Sequence, residues 1–332
     1  MNNSKERRFS ISRRNALKAG FAAGAALAMP QIMTRAAQAA APMLGGAIPE
    51  FYRFKLGDFE ITTIRDGTRA SEGPYPTFGG NMAEAEVHAL LRQNGLPEKS
   101  LVNGFTPTII NTGNELVLFD TGLGAGARGN GMGNTHSILA KAGYAPEQVD
   151  IVVITHFHPD HIGGLMENNA PAYPNARYVM GETEYGFWTH ADRMSGPTER
   201  VAKMVDGLVK PIAEKTTFVK EGGAVVSGIT AFETFGHTPG HMAFQVESAG
   251  KRLVITADTA NHYVISLQKP DWEVAFDSIK PVAAATRRKV FGMIAADRVP
   301  FIGYHMPWPS IGYVETMGDG FRYVPHSYQL DL

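Results

Sequence analysis

Near the middle of the chain, His156-Phe157-His158-Pro159-Asp160-His161 holds three of the protein's eleven histidines and an aspartate. The segment follows Ile151-Val152-Val153-Ile154, an apolar run of the kind found in a strand covered on both faces. Side chains two apart on extended backbone point the same way, so His156 and His158 can grip one ion through imidazole nitrogens at about 2.0–2.1 Å. Pro159 keeps His158 extended and stops the strand from running straight into a helix. Asp160 and His161 then fall on a turn, where adjacent side chains diverge and can reach a second ion. Gly163-Gly164 permits the tight backbone beyond them. Four solvated loop residues would be the plain alternative. Their density at the end of a buried strand, where α/β folds place their sites, argues against it.

The elements that must position this cluster are mostly short. Residues 51–56 and 59–64 flank Gly57-Asp58 and read as a hairpin. Residues 81–91 have helical spacing with Asn81 as the cap, and 107–111 and 116–119 are β-rich runs broken by Thr112-Gly113-Asn114. Beyond the cluster, 182–191 and 198–209 read as helices, then 229–234, 243–247 and 253–257 as strands. A helix-rich stretch, 278–297, precedes Phe301-Ile302-Gly303. This alternation predicts two sheets packed together with helices outside, in one domain.

The chain has 332 residues, 44% of them hydrophobic, enough for one large core or two small ones. The first 39 residues carry seven basic groups and one acid, which leaves 24 basic against 31 acidic groups in the remainder, net −7. So acidic a body is a poor binder of nucleic acid, and a small neutral or modestly charged molecule is the expected partner. The absence of cysteine removes disulfides, thiolate nucleophiles and Cys-ligated metals together. Residues 1–39 contain Ser12-Arg13-Arg14, a short Ala/Gly-rich apolar stretch and Ala37-Gln38-Ala39, an order that resembles a twin-arginine export signal with an A-x-A cleavage site. The implied partner is the twin-arginine translocation machinery and the implied location the periplasm. No stretch approaches the roughly 20 apolar residues that span a membrane, so no stable membrane span is expected. Residues 40–50 read as a linker and 51–332 as the working domain, for which a homodimer is among the assemblies allowed.

His156-x-His158-x-Asp160-His161 resembles the signature of the metallo-β-lactamase superfamily. The other ligands of that family are matched in order by His237 in Gly236-His237-Thr238-Pro239-Gly240-His241, Asp258 in Ala257-Asp258-Thr259, and His305 in Gly303-Tyr304-His305. The resemblance implies an α/β protein, an αββα sandwich of two mixed β-sheets with helices on the outer faces. It assigns His156, His158 and His237 to one ion, Asp160, His161 and His305 to the other, and Asp258 to both. Asp120, in Asp120-Thr121-Gly122, matches an early aspartate of the family and is expected to take a proton from a ligating imidazole and fix its orientation. His241 is expected behind the ligands or in a structural role, and His136, His190 and His262 at the surface.

Two divalent ions about 3.5–4 Å apart hold hydroxide at neutral pH and polarise the substrate. The expected reaction is therefore hydrolysis by hydroxide between the ions, positioned by Asp160 and Asp258, with no protein nucleophile. Zinc is the preferred metal, because His158 stands where oxygen-reducing di-iron relatives carry glutamate. Within the superfamily, Leu56-Gly57-Asp58-Phe59-Glu60, Asp66-Gly67-Thr68 and Gly320-Phe321-Arg322-Tyr323 resemble the methyl parathion hydrolase-like subgroup, which hydrolyses organophosphate triesters, esters and lactones. Asn261-His262-Tyr263 and the glycine-rich 124–133 depart from it. Phe187, Trp188 and His262 are the candidates for lining a substrate pocket. The rival readings are a thioester hydrolase like glyoxalase II, which shares every ligand, and an iron-dependent oxidoreductase of the same fold.

Overall fold

In the first sheet, residues 151–154 alternate between two cores. Ile151 and Val153 face a second sheet, among Phe119, Phe244, Val246, Ile255 and Ile302. Val152 and Ile154 face helices, among Ile138, Leu139, Trp188 and Val205. A strand buried on both sides has no polar face, which is why it reads as an unbroken apolar run. The computed structural model describes residues 43–327. The expected export signal at 1–39 and the start of the expected linker lie outside the described residues. The compact unit that carries both sheets begins at Ile48.

The first sheet has seven strands in the order Phe51–Leu56, Phe59–Ile64, Thr108–Asn111, Leu116–Phe119, Ile151–Ile154, Arg177–Gly181 and Thr216–Val219. The last four run parallel, and the first three pair antiparallel. The second sheet, also of seven strands, runs Ala224–Val226, Ile229–Glu233, Met242–Ser248, Lys251–Ala257, Phe301–Gly303, Ile311–Met317 and Gly320–Pro325. Only Lys251–Ala257 and Phe301–Gly303 pair in parallel there. Helix Lys280–Asp297 covers its outer face, with Val290, Phe291 and Ile294 against Val254, Phe301, Val314 and Phe321. Both sheets are mixed and both outer faces carry helices, so the fold is the αββα sandwich.

The hairpin at residues 51–64 forms with the expected bounds, pairing Leu56 with Phe59 across Gly57-Asp58. The expected cap does not form. The helix is Glu84–Gln93, started at Ala83, because Glu86 reaches back to the Ala83 N–H at 3.3 Å, while Asn81 Oδ1 accepts from the Glu273 N–H instead. Asp160 and His161, expected on a turn, lie in the one-turn helix Pro159–Ile162. Among the described residues no helix is long and apolar enough to cross a membrane.

Candidate metal centre

Neighbouring parallel strands end side by side, and that brings the site together. Leu116–Phe119 and Ile151–Ile154 deliver Asp120 and His156; Lys251–Ala257 and Phe301–Gly303 deliver Asp258 and His305. The exits are sharp. Asp120 has φ 58° and Ala257, just before Asp258, has φ 43°, left-handed conformations uncommon outside glycine and frequent at functional sites. His237 arrives from the connection between Ile229–Glu233 and Met242–Ser248. It comes directly after Gly236 at φ 128°, where a Cβ would stand 2.2 Å from the Ala283 nitrogen.

Two groups result, each with ligand atoms within 4.8 Å of one another: His156, His158, His237 and Asp258, and Asp160, His161, Asp258 and His305. Asp258 belongs to both. Its Oδ2 lies 3.3 Å from His237 Nε2 and 3.1 Å from His305 Nε2, and its Oδ1 lies 3.3 Å from His161 Nε2. Asp160 Oδ2 stands 3.5 Å from both His161 Nε2 and His305 Nε2. His237 Nε2 and His158 Nδ1 approach to 2.9 Å, within hydrogen-bond distance, so the two imidazoles turn these nitrogens toward one spot.

Each outer nitrogen that the structure pairs has an acceptor that fixes the tautomer. His161 Nδ1 lies 2.8 Å from Asp120 Oδ2, and Asp120 in turn accepts from the Thr155 N–H at 2.9 Å and the Thr155 hydroxyl. His237 Nδ1 lies 2.9 Å from Asp277 Oδ1, and His305 Nδ1 2.8 Å from the Gly104 carbonyl. A carboxylate or carbonyl only accepts, so Nδ1 carries a proton and Nε2 is the atom left turned inward. Asp258 is itself held, its N–H donating to His241 Nε2 at 3.1 Å and its Oδ2 accepting from Asn261 Nδ2 at 2.8 Å.

The electrostatics of the cluster call for positive charge. Burial depresses His156, helped by the charge of His161, and burial beside His237 holds His158 at about 3. Burial alone would depress His161, His237 and His305 as well, but carboxylates outweigh it. Asp258, Asp120 and Asp160 hold His161 well above its ordinary value, Asp258 and Asp277 lift His237 to about 9, and Asp258 and Asp160 raise His305. Against burial, His305 and His161 keep Asp258 well below the usual carboxylate range, and His161 with His305 holds Asp160 at about 2. Three inward atoms, His156 Nε2, His161 Nε2 and Asp258 Oδ1, are buried with no hydrogen-bond partner, a costly arrangement for polar atoms. Imidazole and carboxylate donors with orphaned lone pairs converging on two points fit two divalent ions.

The remaining predicted residues fall elsewhere. Trp188 is buried in the core of the first sheet and its helices, with Nε1 donating to Glu184 Oε1 at 2.8 Å, so its ring packs inward rather than walling a pocket. Phe187 is half-buried against Trp188, under the Arg193 guanidinium. His262, expected at the surface, is 5% exposed. Its Nδ1 accepts from the Val264 and Ile265 N–H groups, and its ring meets the edge of Phe78 at 5.2 Å. Sequence reasoning misses Asp277, Arg287 and Asp66. Arg287 is 1% exposed and reaches Asp277 Oδ2, the Thr259 carbonyl and the Pro270 carbonyl. Asp66 takes the N–H groups of Leu123, Gly133 and Thr135 and the Thr135 hydroxyl, tying down the glycine-rich stretch after Asp120.

The profile of the metallo-beta-lactamase superfamily matches residues 106–300, more than half of the chain, and the chain belongs to that superfamily. Among solved structures it is similar to AidC, a dizinc quorum-quenching lactonase seen in complex with a product, at 27% identity and TM-score 0.77, covering 84% of this chain and 98% of that one. It is also similar to AbOPH, a hydrolase in the beta lactamase superfamily, at 25% identity and TM-score 0.78, covering 85% and 99%. Curated relatives include the uncharacterized protein YobT of Bacillus subtilis (strain 168), 26% identical over 136 residues, 41% of this chain. An N-acyl homoserine lactonase of Bacillus sp is 25% identical over 150 residues, 43% of this chain. The match spans about half the length of these curated relatives, 54% in each case.

Proposed function

We propose that this chain is an exported, periplasmic metal-dependent hydrolase that uses two zinc ions to cleave small lactones, esters or organophosphate triesters. The observation that carries the reading is the sharing of Asp258 by two ligand groups, with His156 Nε2, His161 Nε2 and Asp258 Oδ1 buried there without a hydrogen-bond partner. His156, His158 and His237 would hold one ion, Asp160, His161 and His305 the other, and Asp258 both. Two ions so placed supply an activated water and a polarising contact for the substrate's carbonyl or phosphoryl oxygen.

The chain's own residues do the rest. Asp120, Asp277 and the Gly104 carbonyl keep three imidazoles in one tautomer and one orientation. Asn261 and His241 lock the rotamer and backbone of Asp258. Asp160, with a side chain 17% exposed, is the carboxylate on the open side, ionised throughout the neutral range and able to orient the attacking water.

Lactones are favoured by the likeness to AidC and to N-acyl homoserine lactonases. An apolar rim agrees with a substrate that carries an apolar portion: Phe276, Ile279 and Val282 are 49%, 42% and 41% exposed on the segment whose Ser278 and Ile279 N–H groups bond to His237 and Gly236 carbonyls. Zinc is favoured by His158, and export by the arginine pair, apolar stretch and small-residue site of residues 1–39.

The test is a panel of lactones, aryl esters, phosphotriesters, thioesters and β-lactams on zinc-loaded protein beside Asp258→Ala. Full activity of the variant on every substrate turned over would overturn the two-metal reading. Preferred thioester cleavage would move the assignment to a glyoxalase II-like enzyme. Periplasmic protein should begin near Ala40, and an intact Met1 there would refute export.

A further inference from the structure

Glu184 is a fully buried carboxylate with both oxygens doubly hydrogen-bonded, and none of its partners is a metal ligand. It lies in the first turn of helix Glu182–Thr189, directly after strand Arg177–Gly181. Oε1 accepts from the Phe157 N–H at 2.9 Å and Trp188 Nε1 at 2.8 Å; Oε2 accepts from the Thr238 hydroxyl at 2.8 Å and the Gly240 N–H at 2.9 Å. Phe157 stands between His156 and His158, and Thr238 comes directly after His237. These segments belong to different sheets, and one side chain ties them together.

The backbone is shaped for that contact. A Cβ on Gly240 would stand 2.1 Å from the Glu184 nitrogen, and one on Gly181 would stand 2.9 Å from the Gly240 carbonyl oxygen. Both glycines let the helix start press on the His237 segment. Two of the four donors are N–H groups of the buried residues Phe157 and Gly240, so the carboxylate between them is both well compensated and hard to replace.

We propose that Glu184 is a positioning residue that sets the spacing of the three-histidine site, and thereby its metal affinity, without touching an ion or substrate. The proposal rests on the reading of His156, His158 and His237 as one metal site. Because Glu184 bonds to Phe157, between His156 and His158, and to Thr238 and Gly240, beside His237, its effect should fall chiefly on the first site. Thr238 shares the role through its hydroxyl.

The test uses metal-free protein titrated with Co(II) alone, read by the visible absorption bands and the dissociation constant of each ion. Glu184→Gln keeps the volume but turns an amide NH2 toward two donors. It should weaken Co(II) binding by about 10–100-fold at the three-histidine site, the range for losing an outer-shell partner, and shift that site's bands. The effect should persist in His305→Ala protein, which keeps the three-histidine site, and vanish in His237→Ala protein, which lacks it. Thr238→Val should act at the same site more weakly, and it carries the test if Glu184→Gln does not fold. Wild-type affinity and spectrum in the variants, or equal weakening at both sites together with a lower Tm of the metal-free protein, would overturn the proposal. Failure of the wild-type protein to bind Co(II) would instead overturn the metal-centre reading.

Discussion

Asp277 bridges His237 and Arg287: one oxygen lies 2.9 Å from His237 Nδ1 and the other 2.8 Å from Arg287 Nη2, and the Asp277 and Arg287 side chains are each 1% exposed. Asp277→Asn should keep the fold but lose the preference for a proton on His237 Nδ1, lowering metal affinity by about 10–100-fold, measurable by competition with a chromogenic chelator. Arg287→Met is expected to be worse for stability. It strands a buried carboxylate, a change worth about 3–5 kcal/mol, read by urea unfolding of the metal-free protein. An Arg287→Met protein as stable as the wild type would mean that the Asp277–Arg287 pair is not held as described.

Asp120 accepts from three groups at once, His161 Nδ1 and both the N–H and hydroxyl of Thr155. An amide cannot. Asp120→Asn should cut turnover by about 10–100-fold while circular dichroism stays native. Unchanged turnover would show that His161 finds its orientation elsewhere.

Trp188 separates a role in the core from a role in the pocket. Trp188→Phe should leave KM within about twofold and lower stability by about 1.5–3 kcal/mol, the worth of a hydrogen bond to a charged group. A KM raised severalfold for aromatic substrates would place the indole in contact with substrate after all.

Phe276 gives the opposite expectation. It is 49% exposed, with its ring meeting Phe78 at 6.3 Å, and Phe78 meets His262. Phe276→Ser should leave stability nearly unchanged and raise KM more for long-chain acyl lactones than for short ones. Equal shifts along a chain-length series would remove the apolar rim from substrate binding.

Removal of the ions should be visible without any substrate. A ligand at about a hundredfold its Kd adds about 2.7 kcal/mol to the folded state. Chelation should therefore lower Tm by roughly 5–10 °C for a domain of this size, and zinc should restore it. A Tm indifferent to chelator would contradict the proposed centre.

How much of this is legible in the sequence depends on the range over which each signal acts. The strand Ile151–Ile154 and its histidines can be read because period-two burial and metal spacing are both local. His237, Asp258 and His305 need a family pattern, since nothing near them in sequence marks a ligand. Glu184, Asp277, Arg287 and Asp66 are invisible for a related reason: each is a charged residue of ordinary type whose decisive partners lie 10 or more positions away. Trp188 and His262 mislead because an aromatic ring with a polar atom reads alike at a surface, in a pocket, or buried with that atom satisfied. Asn81 misleads because a nearby glutamate outcompetes it for the helix start.

The ligands descend from both halves of the sandwich, His156 to His161 from one sheet and His237, Asp258 and His305 from the connections of the other. Residues as distant in sequence as His156 and Asp258 must therefore already be neighbours before the first ion finds a complete coordination sphere. Such nonlocal pairing is slow to form and all-or-none once formed. A fragment ending short of His305 would lose the shared geometry and not merely one donor. The centre thus records the completion of folding: a chain that binds two ions has closed both sheets.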